Sequence, residues 1–256
     1  MVQSLLITQC LQNDFIKPIG RYDEMPNFLH IGFEEAQRLV GKNPSEGPIT
    51  LMMKWAYQQS SEDLAIIHVR DWHDPEDASQ QQHLHQFGNH CIKDSGGANF
   101  VFEDLDPNRP LAIINSTGLN DFVVTELGTR IDSLMGEGLL KVGLIGVWTE
   151  AKIYFLAYEL VSRYPHLQVG VCSALTASSS RSHHFLALDQ LKRILGINIF
   201  SSLGEFAQFL FKADFETSLP SLDREGIPDI KFASGDRLDL SEDDRGLIQY
   251  LFRHCR

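Results

Sequence analysis

Short apolar, β-branched runs alternate along the chain with longer stretches of helical period. Residues 4–8 (SLLIT), 64–69 (LAIIHV), 111–114 (LAII), 140–146 (LKVGLIG), 167–172 (LQVGVC) and 197–200 (INIF) read as six buried strands. Between them, residues 48–58, 121–135, 150–164, 182–195 and 203–212 place apolar side chains at helical spacing. This alternation predicts an α/β domain of three layers, α/β/α, around a six-stranded, mostly parallel sheet. Sites in such sheets collect at the carboxyl ends of the strands. That rule directs attention to residues 10–15, 71–73, Asn115 and 147–152.

Two stretches stand outside the alternation. Residues 74–108 are polar and rich in His and Gln, and connections of that length usually do something. After Lys212, prolines and acidic residues break every period, so residues 1–212 are expected to form the domain and 213–256 an acidic extension. A last amphipathic stretch, 241–253, begins with a serine cap and three acids, which suit a helix N-terminus. The extension reads as a docking arm or a link to an additional domain.

Charge and cysteine usage narrow the partners. The net charge of −12 repels phosphate backbones and argues against nucleic acid. No apolar run reaches the ~20 residues that cross a bilayer, so no membrane partner is expected. Cys10, Cys91, Cys172 and Cys255 are scattered, and no basic leader precedes the first strand. A cytoplasmic protein with free thiols is the expectation.

Five ordered motifs resemble the isochorismatase-like and nicotinamidase-like cysteine hydrolases. They are QNDF at Gln12–Phe15, RDWH at Arg70–His73, GNHCIKDSGGANF at Gly88–Phe100, GVWTEAKI at Gly146–Ile153 and SSSRSHHFLALDQL near Ser178–Leu191. The resemblance runs from residue 4 to about 207 and implies the isochorismatase-like hydrolase fold. It also implies a catalytic triad of aspartate, lysine and cysteine for hydrolysis of C–N bonds. Here those three positions hold Cys10, Asn115 and Lys152.

The replaced triad keeps a thiol and an ammonium in exchanged places, so Cys10 and Lys152 are expected to face one another. A lysine beside a cysteine favours the thiolate. One reading is therefore an amide hydrolase with a rearranged Cys10/Lys152 site. The other is an inactive member that binds a small molecule or a protein.

The resemblance further implies a divalent metal beside the triad, held by Asp71, His73 and His90. Imidazole and carboxylate ligands suit zinc, with iron or manganese as alternatives. His83 and His85 lie in the intervening segment as alternative ligands. Phe15, Trp72, Val147 and Trp148 are the expected walls for a planar small-molecule ligand, with a cis peptide at Val147–Trp148. Relatives commonly oligomerise, so a homo-oligomer is expected.

Overall fold

The six apolar runs form the strands expected of them: β1 (Ser4–Gln9), β2 (Leu64–Asp71), β3 (Ile113–Ser116), β4 (Lys141–Val147), β5 (Gln168–Ala177) and β6 (Asn198–Phe200). The computed structural model describes residues 2–102, 109 and 111–211. The helix expected at 241–253, and the extension that carries it, lie outside the described residues. Helices α1 (Asn13–Ile16), α2 (Gly32–Val40) and α3 (Pro48–Gln58) separate β1 from β2, and α4 (Gln81–Phe87) follows β2. Then come α5 (Asp121–Val124), α6 (Leu127–Gly136), α7 (Tyr154–Arg163), α8 (Arg181–Leu195) and α9 (Leu203–Leu210).

The strands form one sheet in the order β3-β2-β1-β4-β5-β6, with every neighbouring pair parallel. Every residue of β1 is buried, because helices cover both faces. Alternate side chains feed two cores. Leu6 packs with Leu39, Met52 and Phe206 on the side of α2, α3 and α9. Leu5 and Ile7 pack with Ile131, Leu160 and Leu188 on the side of α6, α7 and α8. Chain order runs away from the central pair β1 and β4 in opposite directions. Their carboxyl ends are therefore the switch point at which such sheets open a site.

Several expected boundaries move, for local reasons. β3 lies two residues later than the apolar run 111–114, because its register on β2 pairs Arg70 with Asn115 and Asp71 with Ser116. The helix expected over 121–135 is two. Thr125 Oγ1 donates to Asp121 O at 2.5 Å and accepts from Leu127 N at 3.0 Å, closing α5 and restarting the chain as α6. The helix expected from 150 opens as a π-turn over Thr149–Ile153. β5 runs past Cys172 to Ala177 and bulges against β4 between Leu144 and Gly146. The buried Arg38 guanidinium fills that bulge, donating to Ala174 O at 2.8 Å and Thr176 O at 2.6 Å while paired with Glu35.

Candidate metal centre

The carboxyl ends of β1, β2, β3 and β4 converge on a buried group of charges. Asp71 closes β2 and is 3% exposed, and Lys152 is 2% exposed in the π-turn after β4. Lys152 Nζ lies 2.8 Å from Asp71 Oδ1, 3.0 Å from Asp121 Oδ1 and 2.6 Å from Gly118 O. Ser116 Oγ is a fourth contact at 3.3 Å. The ammonium thus has more acceptors than hydrogens.

Burial alone would lower the lysine pKa, but the charges of Asp71 and Asp121 hold it well above the ordinary lysine range. Burial likewise works to raise the Asp71 carboxyl, yet the Lys152 charge keeps it well below the usual carboxylate range. Asp121 is displaced upward, with burial ahead of the opposing Lys152 charge.

Cys10 stands just beyond β1 in left-handed backbone at φ 53°, with its N–H on Val69 O at 2.9 Å. Its thiol lies 3.6 Å from Asp71 Oδ1, the same oxygen that pairs with Lys152. The expected meeting of Cys10 and Lys152 is thus mediated by a carboxylate. The consequence for charge is the reverse of the expectation. Burial and the Asp71 charge push the thiol pKa well above its ordinary value, against the smaller pull of Lys152. Cys10 is a neutral thiol here, because Lys152 already neutralises carboxylates and Cys10 has no solvent.

Asn115 is not brought into the site. It lies inside β3 rather than beyond it, so strand alternation turns it away from Lys152. Its Oδ1 accepts from Arg70 Nε at 2.8 Å on the exposed side, and the neighbouring Ser116 meets Lys152 instead.

Beside this ion group, His73, His83 and His90 bring ring nitrogens within 4.8 Å of one another. The Nε2 atoms of all three are buried without a hydrogen-bond partner. Asp71 Oδ2 lies 3.8 Å from His73 Nε2 and 3.9 Å from His90 Nε2. Atoms bound to one zinc at about 2.0–2.1 Å can stand at most about 4.2 Å apart, so small shifts suffice to close the group on an ion. The other nitrogens of two rings are engaged: His90 Nδ1 with Gly88 O at 2.7 Å, and His73 Nδ1 with Gln80 Oε1 at 3.1 Å. Burial pushes His83 down to about 4, with His73 and His90 adding to it, and burial also lowers His90. Both rings are therefore neutral at pH 7, as metal ligands must be. His85 sits on the exposed side of α4 and is not in the group.

The QND motif holds these pieces in place through its side chains, which bond to backbone far along the chain. The Gln12 side chain brackets the Asp71 peptide, donating to its carbonyl at 2.7 Å and accepting from its N–H at 2.8 Å. Asp14 Oδ2 accepts from Cys91 N at 2.7 Å and so fixes the segment carrying His90. A Cβ on Gly97 would fall 2.2 Å from the Asp14 carboxylate, which accounts for glycine there.

The expected ligand walls divide. Phe15 meets Trp148 edge to face with ring centroids 4.5 Å apart and lies 5.7 Å from the His90 ring, so Phe15 borders the histidines and Trp148 packs on Phe15. Val147 is fully buried, and the Val147–Trp148 peptide is cis. Trp72 is partly buried, with the Arg70 guanidinium stacked over its ring at 3.7 Å. A depression lined by Met25, Phe28, Gly88 and Asn89 opens beside the His90 segment.

No family model matches the chain, and no curated protein matches it by sequence. Solved structures do match by shape. The fold is that of the isochorismatase-like and nicotinamidase hydrolases. A nicotinamidase/pyrazinamidase from Bacillus subtilis superposes with a TM-score of 0.61 at 18% identity, covering 78% of this chain and 100% of that one. An isochorismatase-like hydrolase from Alkaliphilus metalliredigens gives 0.61 at 21% identity, covering 81% and 98%. A Pyrococcus horikoshii pyrazinamidase in complex with zinc gives 0.58 at 21% identity, covering 78% and 99%. Among the described residues, no helix is long and apolar enough to cross a membrane.

Proposed function

We propose that this chain binds a divalent ion, zinc before iron or manganese, through His73, His83, His90 and Asp71. A small molecule is received there without covalent catalysis by Cys10. The observation that carries the reading is the trio of buried, unpartnered imidazole nitrogens in one cluster. A buried polar atom without a partner costs free energy, and three aimed together are explained by a shared ligand. Three nitrogens and one carboxylate oxygen form a donor set that zinc favours over harder ions.

A bound ion of this kind supplies Lewis acidity to a ligand atom. The chain's own residues do the rest. Phe15 places a buried aromatic ring beside His90, with Trp148 packed on it. Lys152 is held charged by Asp71 and Asp121, which removes it from proton transfer at neutral pH. Cys10 stays protonated, which opposes an amide hydrolase that attacks through its thiolate. The likeness in fold to a nicotinamidase/pyrazinamidase and to a pyrazinamidase in complex with zinc supports a pyridine-type carboxamide as the first ligand to test.

Purified full-length protein is to be stripped of metal and titrated with zinc by chelator competition, beside His83→Ala. Nicotinamide binding to loaded and stripped protein is to be followed by calorimetry. The reading expects stoichiometric zinc, at least about tenfold weaker binding in the variant, and nicotinamide binding only when zinc is present. Absence of zinc binding overturns it. So does amide hydrolysis that disappears in Cys10→Ser.

A further inference from the structure

The turn between β2 and α4 holds a side-chain amide in a single orientation. Gln80 is 8% exposed and immediately precedes α4. Its Oε1 accepts from Asp74 N at 3.1 Å, and its Nε2 donates to Asp77 Oδ2 at 2.8 Å. A backbone N–H only donates and an ionised carboxylate only accepts. The two partners therefore fix which end of the amide is which, independently of how its atoms are assigned. The turn also secures Asp77, whose Oδ1 accepts from Ser79 N at 2.9 Å and Ser79 Oγ at 2.7 Å. That leaves Oδ2 for Gln80.

The oriented oxygen of Gln80 lies 3.1 Å from His73 Nδ1. An amide oxygen cannot donate, so Nδ1 must carry the hydrogen of the neutral ring. The lone pair then falls on Nε2, the atom left unpartnered in the histidine cluster. His90 gets the same arrangement from a backbone carbonyl, Gly88 O.

We infer that Gln80, oriented by Asp77, is a positioning residue that sets the tautomer of His73 and so presents its Nε2 to a metal. The purpose of this device rests on the metal reading above, while the device itself rests on donors and acceptors within the turn. A ring whose Nδ1 had no acceptor could place its hydrogen on either nitrogen, and the Nε2–H form cannot ligate. Outer partners of this kind typically change metal affinity by about 10–100-fold.

The test uses the full chain, metal-free, with ring nitrogens of histidine read by long-range 15N–1H correlation, followed by zinc titration. The wild type is expected to show His73 as the Nδ1–H tautomer. Gln80→Leu is expected to populate the Nε2–H form and to weaken zinc by about 10–100-fold. Gln80→Glu combined with Asp77→Asn keeps an acceptor toward His73, because the amide placed at position 77 can donate to the new carboxylate, and is expected to retain the Nδ1–H form and recover most of the affinity. An unchanged tautomer in Gln80→Leu overturns the inference, as does a Gln80→Glu/Asp77→Asn chain no better than Gln80→Leu. Should Gln80→Leu not fold, Gln80→Ala replaces it, since that change removes the acceptor without adding bulk. Indistinguishable His73 spectra in Gln80→Ala and the wild type then overturn the inference. A wild-type chain that binds no zinc removes the metal reading alone, because the metal-free tautomers still decide the role of Gln80.

Discussion

Lys152 Nζ and Asp71 Oδ1 are 2.8 Å apart at the bottom of the site, and both residues are almost wholly buried. This contact ties the two halves of the centre together. One carboxylate oxygen of Asp71 neutralises the lysine, and the other faces His73 and His90. The lysine thereby holds the carboxylate ionised and its second oxygen turned toward the histidines. At Cys10, burial and the Asp71 charge outweigh the pull of Lys152. A site with thiol and amine in exchanged places becomes a buried ion group with a metal cluster on its flank.

Removing that cation leaves two buried carboxylates without their counter-charge. Lys152→Met keeps the length of the side chain and deletes its charge. Breaking one side of a buried ion pair typically costs about 3–5 kcal/mol. The variant is expected to lose that much stability in urea unfolding at pH 7. Its deficit should shrink toward pH 5, because burial raises the carboxyl of an Asp71 stripped of the lysine against only the smaller pull of His73, so that it takes up a proton more readily. A deficit that does not change with pH would mean that charge is not its source.

His83 and His85 give a paired test of the metal cluster. They are two residues apart, yet only His83 turns its ring toward His73 and His90, with centroids 4.9 Å and 5.4 Å away. His83→Ala is expected to weaken zinc by at least about tenfold, and His85→Ala to leave it unchanged. Equal effects in the two variants would place the ion elsewhere. Chelator competition on both purified chains supplies the comparison.

Why the sequence distinguished some of these residues and not others is a matter of geometry. The strand pattern and the order of motifs were enough for the sheet, because β-branched runs buried on both faces are hard to mistake. Asp71 and His73 were legible too, since alternation at a strand end puts both on one face. Asn115 was misplaced because β3 is short and its register is set by pairing with β2 rather than by its own apolar run. His83 could not be separated from His85, since the beginning of α4 decides which one turns inward. Asp121, Ser116 and Gln80 carried no motif. Their roles come from distant partners, Lys152 and His73, that meet them only in the folded chain.

His68 predicts an acid limit to stability. Its ring bridges Thr8 Oγ1 and Tyr57 OH, each at 2.8 Å, inside the sheet's apolar side. Burial lowers its pKa to about 3. The unfolded chain binds a proton near pH 6.5, where the folded chain does not. Stability therefore falls as pH drops from about 6.5 toward 3, by up to about 1.4 kcal/mol per unit from this one residue. His68→Gln can keep both hydrogen bonds and cannot titrate. Its stability curve should run parallel to the wild type above pH 6.5 and fall less steeply below. Burial lowers His83, His90 and His184 in the same direction, so only the difference between the two curves belongs to His68. Parallel curves down to pH 4 would show that His68 titrates normally.

The reactivity of Cys10 separates the two readings of the rearranged triad. A thiolate poised by Lys152 would be alkylated quickly near neutral pH. The structure instead gives Cys10 no exposure, a carboxylate oxygen at 3.6 Å and a pKa displaced upward by burial and by that carboxylate. Cys91 and Cys172 are also buried, and burial pushes both thiols up. In a Cys255→Ser background, which removes the thiol outside the described residues, native protein at pH 7.5 should therefore label no faster at Cys10 than at Cys91 or Cys172. All three should react at the rate at which the fold opens, and urea should accelerate them together. Rapid, selective modification of Cys10 in the folded chain, read by peptide mass, would restore the thiol as a nucleophile. It would also require Lys152 to act more strongly on Cys10 than burial and Asp71 combined, a balance that Asp121→Asn should then shift further by freeing part of the lysine's charge.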